Sequence, residues 1–288
     1  MSPQAKKTYY GGCPHDCPDT CAMVFEVEKA KLVGVHGNSK HPMTRGGLCV
    51  KLDDYEKRHY HPDRLLYPLR RTGPKGSKQF ARISWNEALD EIKDRWHTII
   101  DGYGPQAIMP YSYAGHQGLV NGIWSGDAFF NRLGATVCER TPCGSGSSTA
   151  WLLTHGPSGG MDPESFIHSK YIVIWACNSV STNLHHWHFV KDARRKGAKV
   201  VVIDTYKSRT ARQADWHLMP KPGTDGALAM AIINTITEEG LVDRDYIDKY
   251  TVGYDELAER AKTNTPEWAE KITGIAAADI RTLAREFS

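Results

Sequence analysis

No apolar run in this 288-residue sequence approaches the ~20 residues that a membrane-spanning helix needs. The opening MSPQAKKTYYGG has no apolar h-region and no twin-arginine leader, and the Arg-Arg pairs at 70–71 and 194–195 are internal. The expected compartment is therefore the cytoplasm. Net charge is also scarce. A formal +3 with no Lys/Arg run argues against a nucleic-acid partner, while leaving room for a modestly anionic cofactor. Internal repeats and low-complexity segments are absent. No G-x-G-x-x-G follows an expected strand, which argues against an ordinary NAD site.

What is present reads as a soluble globular chain, 40% hydrophobic and 24% charged, long enough for one large core or two smaller ones. Cysteine is the exception to this ordinary composition. Seven is an odd count, and in a reducing compartment these thiols should not form disulfides. Four of them fall in the first fifty residues, a clustering that suits a metal centre better than a disulfide framework.

The pattern along the chain predicts an α/β protein. A first domain over 8–65 carries the cysteines on short strands, and MVFEVEKAKLVGVHG alternates around a charged turn as a hairpin does. The Pro/Gly-rich HPDRLLYPLRRTGPKGSKQF connects it to a second domain over 66–288. There Ser84 and Glu87 make a capping box, and Trp85, Ala88, Leu89, Ile92, Trp96 and Ile99 recur at helical spacing. QAIMPYS is expected to be a strand, followed by a helix over roughly 121–133. YIVIWA, HWHFVKDARRKG and KVVVID then make a βαβ unit with parallel strands. A short strand near DWHLMP precedes a helix opening at GTDGALAMAIINTI, and the helical end is broken at Gly253, Pro266 and Gly274.

In YYGGCPHDCPDTCAMVF, Cys13, Cys17 and Cys21 stand four apart, and Cys49 in TRGGLCVK completes C-x3-C-x3-C-x27-C. Pro14 and Pro18 oppose a regular helix, so the segment is expected to be a loop with its thiols turned inward. Structural zinc favours paired knuckles, two ligands from each half of a site. Three ligands from one tight loop and one from afar resemble the runs that hold cubane clusters, so spacing favours iron–sulfur over zinc and over no metal.

CPHDCPDTC…GLCVK, VVVID and MPKPGTDGAL, in that order, together resemble the molybdopterin oxidoreductases of the dimethyl sulfoxide reductase type. The resemblance runs from about residue 8 to the C-terminus. It implies that Cys13, Cys17, Cys21 and Cys49 hold a [4Fe-4S] cluster. That cluster would exchange electrons with a molybdenum or tungsten bis(molybdopterin guanine dinucleotide), beside a Rossmann-like, mostly parallel βαβ domain. Lys51 matches a lysine between cluster and pterin, where a cation would stabilise negative charge moving between two anionic centres. Its plain alternative is a solvated surface lysine.

CNSVSTNLHH puts a polar turn at a helix start, where Asn178 and Ser179 with backbone N–H groups would face a pyrophosphate. Asp204 closes the next strand, in position to accept from a ribose. Gly223 supplies a tight turn with Thr224 or Asp225 as a helix cap; in the family this motif contacts the guanine end of the nucleotide. Capping is the competing role for both Asp204 and Asp225. The family supplies one side chain to its metal, and Cys143 in ERTPCGSGSSTAW matches that region, with Ser145 or Ser147 as alternatives. His116, in YAGHQG, is a candidate proton-handling group, against a loop histidine bonded to backbone. Cys138 and Cys177 are expected at strand edges as small core residues. His185, His186 and His188 start a helix whose Trp187 and Phe189 indicate packing rather than a site.

Members of the family are far longer, so the expected reading is an N-terminal portion of a larger oxidoreductase, incomplete in its second domain and inactive alone. It would relay electrons to an external electron-transfer protein or iron–sulfur subunit while a small-molecule substrate reacts at the metal. The alternative is a non-catalytic iron–sulfur electron-transfer or scaffold subunit derived from the same fold. A zinc-stabilised binding module is a third.

Overall fold

The computed structural model describes residues 6–113, 115, 124–141, 143–157 and 159–288. The chain divides into two compact units, Met1–Gly160 and Met161–Ser288, and the cysteine segment expected over 8–65 lies inside the first.

The first unit opens with an antiparallel meander of β1 (Lys7–Gly12), β2 (Ala22–Glu28) and β3 (Lys31–Gly37). Lys29 and Ala30 join β2 to β3 with φ of 49° and 62°, the positive values that let a two-residue turn match strand twist. Its buried apolar residues are few: Cys21, Met23 and Leu52, with Ile108 further on. A single-turn helix, α1 (Tyr55–His59), follows the fourth cysteine. The connector holds a short hairpin of β4 (Leu69–Arg71) and β5 (Phe80–Arg82). Next comes α2 (Trp85–Tyr103), whose N-terminus carries the expected capping box: Glu87 N–H donates to Ser84 Oγ, and Ser84 N–H to Glu87 Oε2. None of its residues is buried, and Trp85, Leu89 and Ile92 remain exposed. Trp96 meets the rings of Phe129 and Phe130 on α3 (Asp127–Leu133). The last helix of this unit is α4 (Ser145–His155).

One expected element differs. Residues 106–112 form no strand: Pro105–Ala107 is a 3-10 turn, and the stretch after it pairs with no neighbour among the described residues. A strand needs a ladder, and Pro105 and Pro110 each remove a donor. What ties the stretch is Thr136, whose N–H donates to the Ile108 carbonyl at 2.9 Å and whose hydroxyl donates to that of Gln106. Cys138 accordingly sits in a loop rather than at a strand edge. Of the helix expected over 121–133, α3 is the part observed, and 121–123 lie outside the described residues.

The second unit is built on three parallel strands, β6 (Tyr171–Trp175), β7 (Lys199–Ile203) and β8 (Trp216–Leu218), in the order β6-β7-β8. Two helices, α5 (Ser179–Thr182) and α6 (His186–Arg195), lie between β6 and β7 in sequence. Side chains alternate across the sheet. Ile172, Ile174, Val200 and Val202 pack one way, with Trp187, Val190 and Ala193 of α6. The chain's helical end holds α7 (Asp225–Glu238), α8 (Arg244–Tyr250), α9 (Tyr254–Ala261), α10 (Pro266–Thr273) and α11 (Ala277–Phe287), and Val201, Ile203 and Leu218 pack the other way, against α7, α10 and α11. Leu228, Ala269, Ile280 and Leu283 supply the contact. Both faces of the sheet are thus covered, as a parallel sheet requires. The breaks at Gly253, Pro266 and Gly274 fall between these helices, Pro266 at the first helical position after the Thr265 cap.

Candidate functional site

The β1–β2 ladder does not end at its last strand pair. Cys13 N–H donates to the Cys21 carbonyl at 2.9 Å, one rung past Gly12 and Ala22. The intervening residues are therefore a closed excursion of a hairpin, with Cys13 and Cys21 at its base and Cys17 midway. The fourth thiol returns by a close backbone approach. Asn38 N–H donates to the Ala22 carbonyl, extending the β2–β3 pairing. A turn follows in which Thr44, 1% exposed, meets His41 Nδ1 through its hydroxyl. A Cβ on Gly37 would lie 2.2 Å from the Gly46 carbonyl oxygen, so this turn rests directly on the Gly37 backbone and leads to Cys49.

None of the four cysteines is in a disulfide; Cys21 is buried and Cys13, Cys17 and Cys49 are half-buried. The Cys21 thiol is pushed up to about 12 by burial first, then by the Asp19 carboxylate and by Cys13, Cys17 and Cys49. Cys17 is also held above its ordinary value, mainly by burial; the Asp19 N–H donating to it works the other way, as does the Lys51 ammonium. Thiols held above their ordinary value, as Cys17 and Cys21 are, make poor nucleophiles and suit a cage for a cation. Four cysteine sulfurs brought together from two segments are a soft donor set of the kind that fits an iron–sulfur cluster.

Lys51 lies in the 3-10 turn Val50–Leu52, which the buried Leu52 anchors. Its side chain is exposed, but its charge reaches both Cys17 and His15.

The nucleotide candidates gather at one edge of the second unit. Trp175, Ile203 and Leu218 end the three parallel strands in register, and Asn178, Ser179, Asp204, Gly223, Thr224 and Asp225 follow those ends. The carboxyl edge is where open α/β sheets take ligands. Ala176 leaves β6 with φ 52°. Asn178 donates to Tyr206 Oη and accepts from Thr210 Oγ1 at 2.8 Å. Ser179 is fully buried, its hydroxyl 3.2 Å from His186 Nδ1, so its side chain is turned inward. Asp204 caps no helix. Its backbone joins Leu218 and His217, and its carboxylate makes no hydrogen bond or ion pair among the described residues. Gly223 has φ 79° with open space where a Cβ would sit. Thr224 occupies the N-cap of α7 without a side-chain cap bond, donating to the Lys221 carbonyl instead. Asp225 sits inside the helix, where one oxygen accepts from Trp175 Nε1 at 2.7 Å and ties α7 to the end of β6.

Cys143 stands apart from the four-thiol group: it is exposed, just before α4, and absent from the charges acting on Cys17 and Cys21. Its N–H and that of Gly144 both point at Tyr113 Oη, 3.3 and 3.4 Å away. The alternatives Ser145 and Ser147 donate to backbone carbonyls. His116 lies outside the described residues. Trp187 and Phe189 are buried, Cys177 packs against the sheet's core, and His185 and His186 are buried with them. Sequence reasoning missed His15, Asp19 and Tyr113. The first two stand between the cysteines, which was the available signal.

A meander with a four-thiol loop, followed by a parallel sheet open at its carboxyl edge, defines an iron–sulfur protein with a dinucleotide-type α/β unit. A family profile described as "Molybdopterin oxidoreductase Fe4S4 domain" matches residues 6–60, and one described as "Molybdopterin oxidoreductase" matches 64–273. The chain belongs to the molybdopterin oxidoreductase family. Among curated relatives, the "Probable oxidoreductase YoaE" of Bacillus subtilis is 42% identical over 275 residues, covering 96% of this chain and 40% of that protein. The "Probable dimethyl sulfoxide reductase chain YnfF" of Escherichia coli is 32% identical over 325 residues, covering 99% and 39%. Among solved structures, acetylene hydratase from Pelobacter acetylenicus aligns with a TM-score of 0.76 at 29% identity, over 96% of this chain and 38% of that one. The chain thus spans about two fifths of the relatives it matches. Among the described residues, no helix is long and apolar enough to cross a membrane.

Proposed function

We propose that this chain is the cluster-bearing and nucleotide-binding part of a molybdenum or tungsten bis(pterin guanine dinucleotide) oxidoreductase, whose electrons pass through a [4Fe-4S] cluster. The observation that carries the reading is the convergence of four cysteines from two separated segments, Cys13, Cys17 and Cys21 with Cys49, beside the Lys51 cation. When bound, the cluster supplies one-electron relay and the pterin-held metal supplies two-electron redox chemistry. The four thiolates would hold the cluster, and Lys51 would offset the negative charge gathered there. In the second unit, the unengaged Asp204 carboxylate is the group we assign to a ribose or guanine donor. Gly223 clears the approach for a bulky nucleotide, and Trp175 holds Asp225 in place at the same edge. Asn178 orders the turn after β6 through Thr210 and Tyr206. Cys143 is the side chain we assign to the pterin-held metal, on an exposed turn steadied by Tyr113.

Seven cysteines with no disulfide between them suit a reducing cytoplasm. The relative named as a reductase "chain" supports a redox partner, either an electron-transfer protein or an iron–sulfur subunit. Anaerobic purification with metal analysis and electron paramagnetic resonance (EPR) tests the reading. Iron and labile sulfide together with molybdenum or tungsten are the expected result. Iron and sulfide alone would favour a non-catalytic electron-transfer or scaffold subunit, and zinc alone would overturn both.

A further inference from the structure

A ring nitrogen in the four-thiol loop has no hydrogen-bond partner among the described residues. His15 lies between Cys13 and Cys17, and its Nε2 is shut off from solvent with no hydrogen bond to any described residue. Buried ring nitrogens are almost always satisfied, so an orphan asks for an acceptor that the polypeptide does not supply. Nor is the ring loosely placed. It stands edge-on to Tyr55, centroids 5.9 Å apart at 80°, and the Arg58 guanidinium lies 5.5 Å from the centre of the same Tyr55 ring. Tyr55 opens α1, six residues after Cys49, so the imidazole is pinned between the two segments that bring the thiols together. Arg58 and Lys51 both lie close enough to act on it, so its cationic neighbours offer it no acceptor. The Asp19 N–H already donates to the Cys17 sulfur, which shows that the loop directs N–H groups toward sulfur.

We propose that His15 donates its Nε2–H to a sulfur of the cluster held by Cys13, Cys17, Cys21 and Cys49, and thereby raises the cluster's reduction potential. This rests on the cluster reading above. Reduction adds negative charge that spreads onto the sulfurs, and an N–H pointing at one of them favours the reduced state. His15 is a positioning and tuning residue; it is not a ligand.

The full chain, purified anaerobically with its cluster, allows the test. Pulsed EPR of the reduced wild-type protein labelled with 15N-histidine should show coupling to one imidazole nitrogen. Redox titration should then compare His15→Phe, which keeps a ring against Tyr55 but cannot donate, with His15→Gln, which restores a donor. The expected result for the Phe variant is a roughly tenfold fall in the reduced-to-oxidised ratio at fixed ambient potential, about 59 mV for one electron. The Gln variant should recover most of that shift and lose the imidazole coupling. Packing alone would leave the potential of the Phe variant in place, and that result overturns the proposal. Absence of histidine coupling in the wild type overturns it too, and this decides the matter if both variants lose the cluster. If the wild type holds no iron and sulfide, the cluster reading itself has failed; a cluster without histidine coupling sinks the His15 proposal alone.

Discussion

The two units build their sites in opposite ways. In the first, four thiols gather on a meander whose buried apolar residues are few, and the Cys21 thiol is held up by burial, by Asp19 and by its cysteine neighbours. In the second, Val200, Val201, Val202 and Ile203 are at most 1% exposed, and both faces of the sheet are packed before any ligand arrives. One site is organised by what it will bind, and the other by what already surrounds it. Binding free energy at the first site is therefore partly folding free energy. At the second it can be spent on the ligand.

The sharpest way to break this contrast is to remove one ligand. Cys49→Ala should abolish the cluster's EPR signal and leave residues 6–60 open to protease, while the second unit keeps its protection. A surviving signal would refute the ligand set. The converse cut is Leu228→Ala, at a fully buried contact between α7 and the sheet. It should cost the second unit about 2–5 kcal/mol in chemical denaturation, with the cluster signal unchanged. Loss of the signal alongside would mean that the two units do not stand independently. A smaller effect is expected where the first unit depends on backbone fit. Gly37→Ala sets a Cβ against the Gly46 carbonyl, which cannot yield as a side chain could. A cost of about 1–3 kcal/mol is expected, read as faster loss of iron to a chelator.

The same contrast explains what could be read in the sequence. KVVVI announces a buried strand because four consecutive β-branched residues have few other uses, and the βαβ unit follows from its neighbours. The cysteine-bearing domain was equally plain, since its thiols are written in residue type and the Fe4S4 domain profile covers residues 6–60. What stayed hidden depends on partners far along the chain. Gly37 is needed because residue 46 returns to it, and Asp225 left its expected cap because Trp175, 50 residues earlier, takes its oxygen. Ser179 looked like a ligand-facing residue, yet its hydroxyl turns inward to His186. The strand expected at 106–112 failed for want of a partner, which local alternation cannot reveal.

The smallest effect lies at the outer edge of the packed sheet, where the second unit still uses charge. Glu286 on α11 accepts from Tyr171 Oη at 2.9 Å and pairs with Lys199 Nζ at 2.7 Å through its other oxygen, tying the starts of β6 and β7 to the last helix. The hydrogen bond from Lys199 holds this carboxyl below its ordinary value, with that from Tyr171 acting the same way and burial opposing both. A depressed carboxyl contributes stability above its unfolded value and loses it as pH falls through the folded one. Lys199→Met should therefore cost the second unit only about 0.2–1 kcal/mol at pH 7, since the pair is partly exposed. The gap from wild type should close as the pH drops below the ordinary carboxylate range. Denaturation midpoints of the second unit measured between pH 7 and pH 3 would show it. A gap that stayed constant across that range would mean that Lys199 acts through its packing on Tyr171 and Trp216 rather than through its pair with Glu286.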